Sequence, residues 1–109
     1  MLYYDQCFKQ LASLLYTYLN VGDLYGRHLA YQVDIVDVNK PFYIEITTEG
    51  KLNVEPYEYN DRDALIRGSF EVLMKIITKQ ISIEEAISKN LLQIDGNADS
   101  IKLLYTLLK

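Results

Sequence analysis

The sequence predicts an α+β fold, and three observations carry that reading. Apolar residues recur at steps of three and four over residues 2–19, fall to a period of two between residues 31 and 55, and regain helical spacing from residue 70 onward, interrupted by a further short strand.

In the first segment Tyr4, Phe8, Leu11, Ala12, Leu15, Tyr18 and Leu19 share one helical face, with Cys7 and Leu14 at its margins. Asp5, Lys9, Gln10 and Ser13 mark the wet side, and Asn20 with Gly22 is the expected stop. Tyr31–Val38 then alternates imperfectly, and Asn39-Lys40-Pro41 interrupts it. Phe42–Thr48 sets Phe42, Ile44 and Ile46 on one face against Tyr43, Glu45 and Thr47 on the other. Glu49-Gly50 is a hairpin-type turn, after which Lys51–Glu55 resumes with Leu52 and Val54 inward. Three strands so joined make an antiparallel meander with one wet face, closed by Pro56.

Gly68-Ser69 follows Asn60-Asp61 too soon for a helix, so Ala64–Arg67 reads as a fourth strand. Ser69 caps a helix carrying Phe70, Leu73, Met74 and Ile77 at helical spacing. Ser82 and Glu85 have capping-box spacing, in which each side chain reaches the other's amide, ahead of a short helix with Ala86 and Ile87. Leu91–Asp95 is a fifth strand, and Asn97 caps a last helix striped by Ile101, Leu104, Tyr105 and Leu108 and broadened by Leu103 and Leu107.

With 109 residues, half of them apolar, the chain is expected to form one domain, residues 1–109. Within it residues 1–20 are an amphipathic helix and residues 31–109 hold the sheet and the remaining helices. A net charge of −4 without a Lys/Arg cluster excludes nucleic acid as a partner. The charge is uneven: residues 34–63 hold eight acids against Lys40, Lys51 and Arg62, which a solvated face explains. Cys7 is the sole cysteine, so no intrachain disulfide forms. The N-terminus lacks a basic, signal-like region and no apolar run is long enough to span a bilayer, so a cytoplasmic location is expected.

Chemistry is scarce. One His and one Cys cannot assemble a zinc site, and His28, just ahead of a strand, reads as structural rather than as a catalytic base. Asp34 and Asp37 would fall on opposite faces of a strand, a poor acid–base pair. No strand–glycine loop–helix sequence cradles a phosphate. The reading is therefore no enzyme, no metal and no cofactor. What remains is a surplus of apolar helix over the sheet available to cover it, which implies a cavity or an exposed patch.

The succession Asp63-Ala-Leu-Ile-Arg-Gly-Ser69, Phe70–Lys79, Ser82-Ile-Glu-Glu-Ala-Ile87, Leu92-Gln-Ile-Asp-Gly96 and a leucine-rich end resembles the sterol carrier protein type 2 (SCP2-like) family of lipid-binding domains. Leu24-Tyr-Gly-Arg27 is similar to bacterial members that act as ubiquinone-biosynthesis accessory factors, so the likeness covers about residues 24–109. Order and spacing carry it rather than any single motif. Asn97 replaces the family's usual Asp, and neither a C-terminal Ser-Lys-Leu nor the Trp of some members is present.

The resemblance implies a five-stranded, mainly antiparallel sheet with helices packed on one face, enclosing an apolar tunnel. It implies lipid binding or lipid transfer without catalysis, the ligand being a fatty acyl, sterol or isoprenoid chain, with transient membrane contact. The lipid-binding residues are then Phe70, Leu73, Met74, Ile77, Ile101, Leu104, Tyr105 and Leu108 over Ile44, Ile46 and Val54, with Tyr105 placed to meet a head group or line the mouth. The alternative is an assembly module, in which the apolar helices bind a partner protein or form a homodimer. The first helix, with Tyr3, Tyr4, Phe8, Tyr16 and Tyr18, would supply that interface.

Overall fold

The computed structural model describes residues 2–22 and 26–109; Leu24 and Tyr25 of the Leu24–Arg27 stretch lie outside the described residues. In chain order the elements are α1 (Tyr4–Tyr18), β1 (Leu29–Ile35), β2 (Lys40–Ile46), β3 (Leu52–Glu55), β4 (Ala64–Gly68), α2 (Phe70–Ile77), α3 (Ile83–Ser88), β5 (Leu92–Gly96) and α4 (Ala98–Leu107).

The strands form one sheet in the order β3-β2-β1-β4-β5. Every pair is antiparallel except β1 with β4, so the sheet is mainly antiparallel, as the resemblance implies. Register sets Tyr31 and Val33 of β1 between Ile44 and Phe42 of β2 and Ala64 and Ile66 of β4. All six are buried, and with them the period-two pattern turns one sheet face into a floor for the helices. Cys7, Leu11, Ala12 and Leu15 of α1, Leu73, Ile76 and Ile77 of α2, Ala86 of α3 and Ile101 and Leu104 of α4 are buried in the same core.

The other face carries Gln32, Asp34, Glu45, Asn53 and Arg67. Because β3 and β4 run in the same direction, residues 56–63 must return across the sheet between them. That strap is tied down where the Tyr59 amide donates to Gln32 Oε1 at 3.2 Å and the Tyr59 ring meets Tyr43 edge-on.

Several local expectations need correction. α1 does not end on a glycine-type cap: Leu19 is extended and bridges Leu108, so tertiary pairing ends the helix. β1 starts at Leu29 and stops at Ile35, because the chain turns through Asn39, whose φ is 55°, and Asp37 leaves the strand to accept the Phe70 amide at 3.1 Å. Asp37 is thus a cap for α2 and does not face away from Asp34 across a strand. The interruption after the first strand lies at residues 36–39, and Lys40 and Pro41 already belong to β2. β3 pairs only with Tyr43–Ile46, so the amide Pro41 lacks costs no ladder bond, and its carbonyl accepts from the Tyr4 hydroxyl at 2.6 Å. Half of the capping box forms: Ser82 Oγ accepts the Glu85 amide at 3.0 Å, but the Glu85 carboxylate turns to Lys89 at 3.1 Å. β5 runs one residue later than its expected start and end.

The caps on Ser69 and Asn97 form as read, each side chain accepting the amide three residues on. Gly96 is obligatory. Its φ is 106°, and a Cβ there would lie 2.7 Å from the Asp63 carbonyl oxygen, which accepts the Asn97 amide at 2.9 Å.

Candidate functional site

Sheet and helices do not meet perfectly. Between them is a cavity of about 50 Å³ with an apolar lining. Val33, Phe42, Ile44, Ile66, Leu92 and Ile94 form its floor. α2 contributes Leu73, Ile76 and Ile77, and α4 contributes Ile101, Leu104 and Tyr105. Leu15 and Leu108 close one end and Ile83 of α3 another side. A water occupies ~30 Å³ in the liquid, and small-molecule sites run to roughly 300–1,000 Å³. The space is a seam in the core.

α4 is held differently at its two ends. At the first, Asn97 caps the helix and the buried Tyr31 hydroxyl donates to the Ser100 carbonyl at 2.7 Å. At the second, the Asn20 amide donates to the Leu107 carbonyl and the Lys109 amide to that of Tyr18, each at 2.9 Å. α4 lines the cavity along most of its length, from Ile101 to Leu108.

The polar groups cluster elsewhere, on the opposite face of the sheet. Glu45 accepts from Asn53 at 3.1 Å and Tyr59 at 3.1 Å and lies 2.9 Å from His28 Nε2. The hydrogen bond from His28, then that from Asn53, hold its carboxyl below the usual range, while burial, then the bond to Glu45, push the Tyr59 hydroxyl up. Cys7 is buried, its thiol pushed up by burial and then by the Asp37 charge. Among the described residues no group of His, Cys, Asp and Glu could hold a metal ion, and no helix is long and apolar enough to cross a membrane.

A profile of the SCP-2 sterol transfer family matches residues 21–109, which take in the whole sheet and every helix after α1. The chain belongs to the SCP-2 sterol transfer family. No curated protein matches the sequence. Among solved structures, the stereoselective inverting sec-alkylsulfatase Pisa1 from Pseudomonas sp. is similar over 99% of this chain at 18% identity and a TM-score of 0.78. The chain spans only 16% of that enzyme's length. The ubiquinone synthesis protein UbiJ-SCP2 matches with a TM-score of 0.74 and 17% identity, covering 94% of this chain and 93% of its own. Sterol Carrier Protein-2 from Aedes aegypti, solved in complex with the C16 fatty acid palmitate, gives a TM-score of 0.61 at 20% identity over 96% of both chains. At these identities the likeness is one of fold.

In this SCP-2 chain the seam brings together seven of the eleven residues singled out from the sequence: Ile44, Leu73, Ile77, Ile101, Leu104, Tyr105 and Leu108. Ile46 and Val54 are buried toward the β3 edge, where α1 packs and Tyr16 Oη accepts the Val54 amide. Met74 faces α1 beside Lys9, Gln10, Ser13 and Leu14. Phe70 is half-buried at the start of α2, where its amide meets Asp37. Eight further residues line the seam without having been singled out from the sequence: Leu15, Val33, Phe42, Ile76 and Ile83, and Ile66, Leu92 and Ile94 of β4 and β5. Alternation signals the parity of the last three faintly, because the outward Leu65 next to Ile66 is also apolar.

Proposed function

We propose that this chain is a non-catalytic carrier that binds one fatty acyl, sterol or isoprenoid-type chain between its sheet and α2–α4, residues 1–109 acting as one carrier domain. The observation that carries the reading is the apolar seam, walled by both layers, in a member of this family. Palmitate in the similarly folded Aedes aegypti protein supports the same ligand chemistry.

At about 50 Å³ the seam must widen to take a chain. Its boundaries suit that step. The first end of α4 is pinned by the Asn97 cap and the buried Tyr31–Ser100 hydrogen bond, whereas its last turn is held by two backbone hydrogen bonds to residues 18–20, by the Lys79 ammonium on the Tyr105 carbonyl and by apolar contacts a ligand can replace. Burying about a dozen methylenes at ~0.8 kcal/mol each gives on the order of 10 kcal/mol gross, from which the cost of parting the layers and immobilising the chain is drawn. Apolar contacts alone impose little selectivity on chain type.

The test is extraction of purified, never-delipidated protein, followed by mass spectrometry of what co-purifies. A near-stoichiometric lipid or isoprenoid is the expected result, and Leu104→Asp, which places a carboxylate in the seam, abolishes retention while the sheet survives by circular dichroism. Unchanged uptake by that variant refutes the site. A clean extract even after incubation with membranes refutes the carrier and favours assembly through α1, where Tyr16 and the preceding Tyr3 are exposed.

A further inference from the structure

The two edges of the sheet are finished differently. At the β3 edge α1 packs alongside, and Tyr16 Oη accepts the Val54 amide at 2.8 Å, so part of that strand's outward backbone is capped. β5 is the other edge and pairs with β4 alone. The Gly68 carbonyl accepts the Val36 amide at 3.0 Å on the β1 side of β4, and the Asp63 carbonyl accepts the Asn97 amide at 2.9 Å on the β5 side. The ladder between β4 and β5 therefore joins Leu65 with Asp95 and Arg67 with Gln93, and the amides and carbonyls of Leu92, Ile94 and Gly96 point away from the sheet. Among the described residues no turn or cap bonds to those three backbone groups.

The strand's own sequence does little to guard this edge. Leu92-Gln-Ile-Asp-Gly96 holds no Pro or Lys, and its register with β4 runs without a bulge. A groove of about 440 Å³ lies against it, with Arg67, Gln93 and Asp95 of the outer face, Leu92 and Ile94 of the inner row and Ile87 of α3 among its walls. Ile87 and Leu91, 44% and 42% exposed, add apolar surface at the corner where α3 leads into β5.

We propose that two copies of this chain meet here: β5 pairs antiparallel with β5 of a second copy about a two-fold axis at Ile94, which joins two sheets into one. The strand is complementary to itself in that register. Its outward residues are spaced evenly about Ile94, so Ile94 meets Ile94, Leu92 meets Gly96 of the second copy, and each outward amide finds a carbonyl. On the outer face Gln93 stands opposite Asp95 of the second copy, an amide donor against a carboxylate, and the symmetry repeats the pair. Asp34, Arg67 and Gln93 lie side by side on β1, β4 and β5, so that carboxylate extends their row and gives Arg67 an acid on each side. Sliding the strands by two residues either sets Asp95 against Asp95 or gives up a hydrogen-bonded pair, which fixes the register. α1, packed at the β3 edge, takes no part, and the contact does not depend on what the seam holds.

An edge of five residues makes a small interface, so the dimer is micromolar or weaker. Sedimentation velocity of the full chain from about 10 μM to about 1 mM, with residue-resolved amide exchange at both ends of that range, tests the pairing. The expected result is a dimer that forms as concentration rises. The Ile94 amide exchanges fast in dilute protein and slowly in concentrated protein, while the Gln93 and Asp95 amides, bonded to β4, are slow in both. Gln93→Glu sets carboxylate against carboxylate at both symmetric sites and weakens the dimer about tenfold. Adding Asp95→Lys to that variant restores it. Both side chains are exposed, so melting temperatures stay close to wild type. A monomer across the whole range overturns the proposal and leaves the edge to an extended segment of another protein. A dimer whose Ile94 amide stays fast, or which Gln93→Glu leaves unchanged, overturns it too and moves the contact to another surface.

Discussion

The Tyr31 hydroxyl, on the central strand β1, donates at 2.7 Å to the carbonyl of Ser100, 69 residues away on α4. Both residues are buried, and the bond is the polar link between sheet and last helix at the end away from the Leu19–Leu108 bridge. Tyr31→Phe deletes it and leaves a buried carbonyl one partner short. The expected loss is ~1–2 kcal/mol, which at this chain length lowers the melting temperature by several degrees. A denaturant titration of the variant with an unchanged midpoint would show that the link carries no stability.

Gly96 and Gly26 both have positive φ, 106° and 88°, but only Gly96 is crowded, by Asp63 and Ala64. Gly26→Ala should cost about 1–2 kcal/mol, the penalty for a side chain in the left-handed region. Gly96→Ala should cost a further ~1–3 kcal/mol, since the paired ends of β4 and β5 must move apart. Equal effects of the two substitutions in thermal melts would contradict this.

The pH dependence has a sign at each end. Glu45 has a folded-state pKa below its ordinary 4.5, so its contribution is complete above that value and is lost as the pH falls through the folded-state value. Tyr4 is pushed up from 10.0 to about 12, by burial first and by Asp5 second. Its contribution is complete below pH 10 and fades as the pH rises toward 12. Urea titrations across the range should therefore show Glu45→Gln less stable than wild type near neutrality, converging with it in acid, and Tyr4→Phe flattening the alkaline decline. A Glu45→Gln difference that persists unchanged in strong acid would assign the effect to packing.

Cys7 reports on opening of the core. It is 1% exposed, on the buried face of α1, with its thiol pushed up. Thiol reagents should leave it untouched in the native protein and modify it at a rate that tracks denaturant. Rapid modification under native conditions would mean that α1 detaches locally, well below the global unfolding free energy.

Much of this architecture is legible in the sequence because its signals are local. Phe42, Ile44 and Ile46 alternate cleanly since their strand has a wet side, and Ser69 and Asn97 announce their helices by chemistry acting over three residues. Long-range partners leave no such trace. The parallel seating of β4 beside β1, Leu108 ending α1, and Asp37 capping α2 each depend on a residue at least 30 positions away. α2 shows why the site was read only in part. Apolar almost all round, it offers the stripe Phe70–Met74 as readily as Leu73–Ile76–Ile77, and packing against α1 decides which faces the seam.

The unfilled space in the core also has a volumetric consequence. About 50 Å³ per molecule is ~30 mL/mol, within the range by which unfolding shrinks a protein solution. Hydrostatic pressure, which acts on volume and is indifferent to which side chains are apolar, should therefore press this fold toward its unfolded state, and any occupant that fills the seam should make the protein harder to unfold by compression.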